Sequence, residues 1–382
     1  MQWFCKISVI MTLLFCTSSA FAQMQISGLS DILLKNAEES DVTNLTFRGL
    51  SNFHSLRTRL FFDGIIDRDV FLFVQVLIDN ADVFQLYAAY ARFQNLSGPK
   101  LNLQLGLIPS TIGSFAPRTY SDKNPLVGVP LLYNFHTALV PRSLGSSGTL
   151  AELSAAKDTR SRGGLPVIYD ACWNTGIEIY GSAGNLDYSF GMLSGSVSKP
   201  TVEQSKDMPQ FTSHLVYNFG PGFKFGASAY YGPYLFDDIF GEGDMLDNAS
   251  FKSSDYINAG VGYELYFAKR YLEIYSEAFY STWEYPGLPD LDLISGYFEF
   301  KYKFRPRWYV AGRFGLSEPG EIETAPGINE KWDYALRRYE FGLGYKALRK
   351  MTIKLVTQIN RFDQTDSFDN NLIALQISSV FN

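Results

Sequence analysis

Residues 257–267 read Ile-Asn-Ala-Gly-Val-Gly-Tyr-Glu-Leu-Tyr-Phe. Side chains of an extended chain point alternately to its two faces. Ile257, Ala259, Val261, Tyr263, Leu265 and Phe267 therefore share one face. Asn258, Gly260, Gly262, Glu264 and Tyr266 share the other. One face is apolar along its whole length and the other is wet. The length suits a tilted strand that crosses a bilayer, which takes about 9–11 residues.

The same pattern recurs outward in both directions. Leu101, Leu103, Leu105 and Leu107 alternate with Asn102, Gln104 and Gly106. Ile294, Phe298, Phe300, Tyr302 and Phe304 alternate with Ser295, Glu299, Lys301 and Lys303. Met351, Ile353, Leu355, Thr357 and Ile359 alternate with Thr352, Lys354, Gln358 and Asn360. Sixteen such segments can be read, ending at residues 35, 63, 77, 94, 108, 181, 196, 218, 231, 267, 283, 304, 316, 346, 362 and 381. Their connectors alternate between short ones, such as 182–185, 220–222 and 305–307, and others that are mostly longer, such as 36–52, 109–172 and 317–335. Short turns on one rim and long loops on the other mark a membrane barrel of the bacterial outer membrane, and an even strand count puts both termini on the periplasmic side. The fold expected is all-β: a transmembrane antiparallel β-barrel of sixteen strands over residues 23–382.

A soluble β-sandwich would also alternate. Two features oppose it. Phe93, Phe219, Phe223, Phe267, Phe304, Trp308, Tyr345 and Phe381 gather beside the short turns, as an interfacial girdle does. The polar face carries Glu, Lys and Arg in mid-strand, which a wet lumen tolerates and a dry core does not.

Residues 1–22 read as a secretory signal peptide. Lys6 supplies the positive end, Ile7 to Phe15 the apolar stretch, and Ala20-Phe21-Ala22 a small-x-small cleavage site. Phe15 before Cys16 is too large for lipoprotein processing. Cleavage removes Cys5 and Cys16 and leaves the single thiol of Cys172, so the exported chain closes no internal disulfide. The whole chain carries a net charge of −6, and loss of Lys6 makes it one unit more negative; nucleic-acid binding is not expected. The 46% hydrophobic and 16% aromatic content excludes a disordered chain.

Charge is sorted by connector. The short turns sum to +6, through Lys100, Lys269, Arg270, Arg305, Arg307, Arg349 and Lys350. Seven longer connectors sum to about −18. None has the spacing of a calcium loop, so the acidic rim reads as solvated, beside lipid and lipopolysaccharide, and neither metal nor cofactor is expected. The connector 109–172 is the exception. Arg118, Lys123, Arg142, Lys157, Arg160 and Arg162 outweigh Asp122, Glu152, Asp158 and Asp170. It is too long to be idle. It also contains the apolar run 127–140, VGVPLLYNFHTALV, which must pack against something. The expectation is that this third outer loop folds into the lumen; the alternatives are an external lid, or two more strands and an eighteen-stranded barrel. Its basic residues would then line a constriction, facing Arg57, Arg59 and Arg313 on some strand faces and Glu264, Glu273, Glu277 and Glu299 on others. Opposed basic and acidic walls sort solutes by charge.

At the level of pattern, nearly the whole chain resembles bacterial outer-membrane porins. The segments 106–113 (GLIPSTIG) and 124–131 (NPLVGVPL), with Arg118 between them, are similar to the phosphate-selective-porin-like group. The resemblance implies passive diffusion of small hydrophilic solutes through a water-filled channel in a homotrimer, with no cofactor. It also implies an aromatic near the C-terminus that the barrel-assembly machinery reads; here Phe381 is followed by Asn382. The basic balance of the long loop adds a weak anion preference. Two other readings compete: a non-conducting adhesin or structural barrel, and an outer-membrane enzyme. The enzyme has little to stand on, because Ser213 and His214 are adjacent and so point to opposite faces. The pairs Gly260/Gly262 and Gly342/Gly344 lie in mid-strand, where glycine makes room for a neighbouring aromatic.

Overall fold

The computed structural model describes residues 23–37, 53–79, 83–139, 153, 157, 164–169, 173–202, 206–235, 252–285, 288–363 and 371–381. Sixteen antiparallel strands close into one barrel. They are β1 (Gln23–Ala37), β2 (Phe53–Asp67), β3 (Val70–Asp79), β4 (Val83–Phe93), β5 (Asn102–Ile108), β6 (Asn174–Ala183), β7 (Leu186–Leu193) and β8 (Gln210–Gly220). The circuit continues with β9 (Phe223–Pro233), β10 (Ile257–Lys269), β11 (Leu272–Trp283), β12 (Leu291–Arg305), β13 (Trp308–Pro319), β14 (Leu336–Leu348), β15 (Met351–Phe362) and β16 (Leu372–Phe381). Each strand pairs with its neighbours in the chain, and β16 pairs with β1, from Gly28 opposite Phe381 to Ala37 opposite Leu372. Closure leaves no open sheet edge to the lipid, the condition for a strand-built membrane span.

The two faces separate as the alternation requires. On β12, Ile294, Phe298, Tyr302 and Phe304 stand exposed on the outside, while Ser295, Tyr297 and Glu299 are buried inside. Aromatics line the rim of short turns: the rings of Trp308 and Tyr345 lie 4.5 Å apart, and Phe219 lies 4.8 Å from Tyr217 and 5.0 Å from Phe223. The turns place Gly184 and Gly222 at positive φ, where glycine meets no steric cost, and Arg270 takes the same region with its Cβ at some cost. Gly344 and Gly260 face inward where rings lie over them: a Cβ on Gly344 would overlap the Tyr309 ring, and one on Gly260 the Tyr230 ring.

The strands agree closely with the periodicity, and the differences lie in connectors. The second segment, read as ending at residue 63, runs on as β2 to Asp67, so its turn to β3 is only Arg68 and Asp69. The outer connector 317–335 contains a small hairpin of its own, Glu321–Ala325 against Ile328–Lys331. β5 is the shortest barrel strand and pairs with β4 over Ala89–Phe93 alone. Beyond Ile108 the chain leaves the wall.

It turns inward. A single helical turn, α1 (Leu131–Asn134), packs against β12 and β13 from inside. Ile112, Phe115, Leu132 and Tyr133 form a buried core with Phe279 and Tyr297 of the wall, and Leu126 and Val127 form another with Leu33, Tyr309 and Val356. The apolar run therefore packs inside the barrel, as expected for an inward fold. The barrel has sixteen strands and not eighteen.

Candidate functional site

The inward segment is held by polar contacts from most of the way around the wall. It starts beside β8, where the hydroxyls of Thr111 and Thr212 lie 2.6 Å apart. The Gly113 N–H donates to Ser228 Oγ on β9 at 3.2 Å. Glu277 of β11 is fully buried. Its carboxylate accepts from the Ser114 N–H at 3.1 Å, the Tyr133 hydroxyl at 2.6 Å and the Tyr297 hydroxyl at 3.0 Å. Burial, and then the Glu277 charge, push the Tyr133 hydroxyl well above the usual tyrosine range, so it stays a donor.

The segment then meets a buried ionic cluster. Arg118 donates to Oε1 of Glu299 on β12 and stacks over the Tyr275 ring, 3.4 Å from its centroid. The other oxygen of Glu299 takes Arg313 Nε of β13 at 2.8 Å. Arg313 also reaches Glu340 of β14 at 3.1 Å and Asn124 of the segment at 3.1 Å. Gln358 of β15 donates to Glu340 at 2.8 Å. Charges this deep persist when each is paired and hydrogen-bonded. Nearby, Lys354 of β15 points its ammonium at the backbone oxygens of Ser121 (2.5 Å), Asn124 (2.9 Å) and Leu126 (3.3 Å). Arg338 reaches the Val129 carbonyl at 3.3 Å, and the Tyr309 hydroxyl reaches that of Pro125 at 3.1 Å.

Between these anchors the chain crosses to the opposite wall. Tyr120 donates its hydroxyl to Gln75 of β3 at 2.8 Å, and Ser121 donates to Asp31 of β1. The Tyr120 ring sits edge-on to Phe61, 5.6 Å away. Burial raises its hydroxyl above the ordinary range, against the pull of Arg59.

The crossing leaves a chamber on each side. On the outer side lies a cavity of about 290 Å³ lined by Asp31, Arg57, Arg59, Asp79, Tyr87 and His136, among others. On the side of the short turns lies one of about 730 Å³ lined by Arg92, Glu178, Asp187, His214, Lys224 and Glu264, among others. His214 pairs with Glu264 at 3.0 Å as a tie within the wall.

The residues expected at a constriction divide into groups. Arg118 and Arg313 share Glu299, and Glu277 binds the segment's backbone. These four fasten the inward segment and are not free to face solute. Arg57 pairs with Asp79 at 2.8 Å and Arg59 with Asp31 at 3.4 Å; both line the outer chamber. Glu273 pairs with Lys301 at 3.1 Å. Lys123 is exposed beside the Tyr120 ring. Arg142, Arg160, Arg162 and Cys172 lie outside the described residues. Sequence reading gave no role to Asp31, Asn124, Arg338, Glu340 or Lys354, though it placed Lys354 on a polar strand face. The four strand residues among them were detectable as charges at inward parity, but their partners are loop carbonyls and side chains that no periodicity encodes.

No protein-family model matches the sequence, and no curated protein does. Solved structures match over most of the chain. An anion-selective porin from Comamonas acidovorans is 10% identical, with a TM-score of 0.57 over 94% of this chain and 100% of that one. The outer membrane channel DcaP of Acinetobacter baumannii is 11% identical, with a TM-score of 0.56 over 96% and 99%. The trimer form of OmpT, an outer membrane protein of Vibrio cholerae, is 10% identical, with a TM-score of 0.53 over 94% and 99%. At these identities the likeness is one of fold. The architecture is that of the bacterial outer-membrane barrels.

Proposed function

We propose that the chain, after removal of residues 1–22, is an outer-membrane porin that passes small hydrophilic solutes by passive diffusion and needs no cofactor. The observation that carries this reading is a closed sixteen-stranded barrel whose lumen is crossed by its own third loop, with a polar chamber on either side. The crossing between Tyr120 and Gln75 sets the narrow place. We assign it a weak anion preference, supported by Arg57 and Arg59 at the outer chamber and by the basic balance of the long loop. The preference is weak because both arginines have carboxylate partners. A homotrimer and insertion by the barrel-assembly machinery complete the reading and follow from the resemblance to porins.

A second reading, a barrel that does not conduct, draws on the density of contacts between the inward segment and the wall. Planar-bilayer recording separates the two. Discrete steps of small single-channel conductance are expected. Folded, reconstituted protein that passes no current would reject the channel and favour the structural barrel.

A further inference from the structure

The outer chamber has an unusual lining. Arg59 is 7% exposed, and its nearest carboxylate, Asp31, is 3.4 Å from Nη1. The other oxygen of Asp31 accepts from Ser121. The buried Nε of Arg59 donates to nothing among the described residues. Two positions along β2, Arg57 donates to Oδ2 of Asp79, and the buried Oδ1 of Asp79 accepts nothing among the described residues. Arg59 and Asp79 line the same cavity, and each carries one buried polar atom without a partner among the described residues. Buried polar groups are normally hydrogen-bonded, and an exception calls for a partner.

We propose that the outer chamber binds zwitterionic α-amino acids with apolar or aromatic side chains, the carboxylate on Arg59 and the ammonium on Asp79. This deepens the porin reading and rests on it for its role as a first station for entering solute. The lining holds two arginines and two aspartates. A lone anion would face Asp31 and Asp79, and a lone cation would face Arg57 and Arg59; a zwitterion meets both signs favourably. Leu33, Leu77 and Leu126 supply the apolar wall for a side chain. The volume of about 290 Å³ is at the small end for ligand cavities, which suits one amino acid.

The test is titration calorimetry on the full mature chain in detergent, with phenylalanine, 3-phenylpropionate and phenethylamine as probes. Phenylalanine is expected to bind about tenfold more tightly than either single-charge analogue. Arg59→Gln should weaken phenylalanine by about tenfold, and Asp79→Asn should erase its advantage over 3-phenylpropionate. Should Arg59→Gln fail to fold, Arg59→Lys keeps the charge without the Nε donor and should still lose most of the affinity. Equal binding of all three probes, no binding by folded protein, or full affinity in both variants would overturn the site. Single-channel recording on the same preparation keeps the two ideas apart. Current without phenylalanine binding removes the site and leaves the porin, and binding without current does the reverse.

Discussion

Glu299 holds two guanidinium groups at once, one from the inward segment and one from the wall. Its removal leaves Arg118 without a carboxylate among the described residues and Arg313 with Glu340 alone, Arg118 largely buried and Arg313 fully so. Glu299→Gln should cost about 3–5 kcal/mol of stability, the usual penalty for breaking a buried ionic cluster on one side. The measurement is the temperature at which the folded, fast-migrating form is lost on a gel; an unchanged temperature would mean the cluster is solvated. The same variant should raise single-channel conductance, because Arg118 loses its anchor. Gly344 gives a second test. Gly344→Ala presses a methyl into the Tyr309 ring and displaces a hydroxyl that holds the Pro125 carbonyl. A loss of about 1–3 kcal/mol is expected, as for other overpacked sites.

At the scale of elements, the narrow place proposed for the lumen is the crossing stretch 118–124. Its replacement by a Gly/Ser stretch of the same length removes Arg118, Tyr120, Ser121 and Asn124 together and leaves every strand in place. Conductance should rise severalfold while the barrel's circular dichroism stays constant; unchanged conductance would place the narrow point elsewhere. The outer loops offer a pH test. Asp207 accepts from Ser253 Oγ at 2.5 Å, the Ser254 N–H at 2.8 Å and Ser254 Oγ at 2.6 Å. Burial alone would raise its carboxyl, but these bonds outweigh it and hold the carboxyl below the usual aspartate value. A depressed folded value means that the docking is complete above the ordinary range near 4 and lost as pH falls through the lowered one. Exchange at the Ser254 amide, corrected for its intrinsic pH dependence, should therefore accelerate under strong acid in the native chain and be fast at all pH in Asp207→Asn. The strands themselves were legible because a two-residue period survives wherever lipid covers one face and water the other. The inward run 127–139 was legible as an apolar stretch that had to be covered. The ionic cluster was legible in kind alone. Glu299 and Arg313 were readable as lumen-facing charges, but their pairing depends on register between strands and on a loop whose path no period describes.

For the whole molecule, the proposed anion preference can be tested by how ions partition. The described charges of the outer chamber balance, and the surplus of positive charge belongs to the long loop. A small anion-selective reversal potential under a KCl gradient is expected, and Arg57→Gln should shift it toward cations. A cation-selective reversal potential in the native channel would overturn the assignment. Assembly can be read from one detail of the barrel's closure. Ser121 stands where the last strands meet the first: its hydroxyl holds Asp31 on β1 and its carbonyl holds Lys354 on β15, one strand beyond the β1–β16 pairing. The loop is thus a clasp fastened across the join from within. Pulling the first and last strands apart must undo the clasp as well as the ladder, so mechanical unzipping from the termini meets extra resistance where an empty cylinder would part most readily.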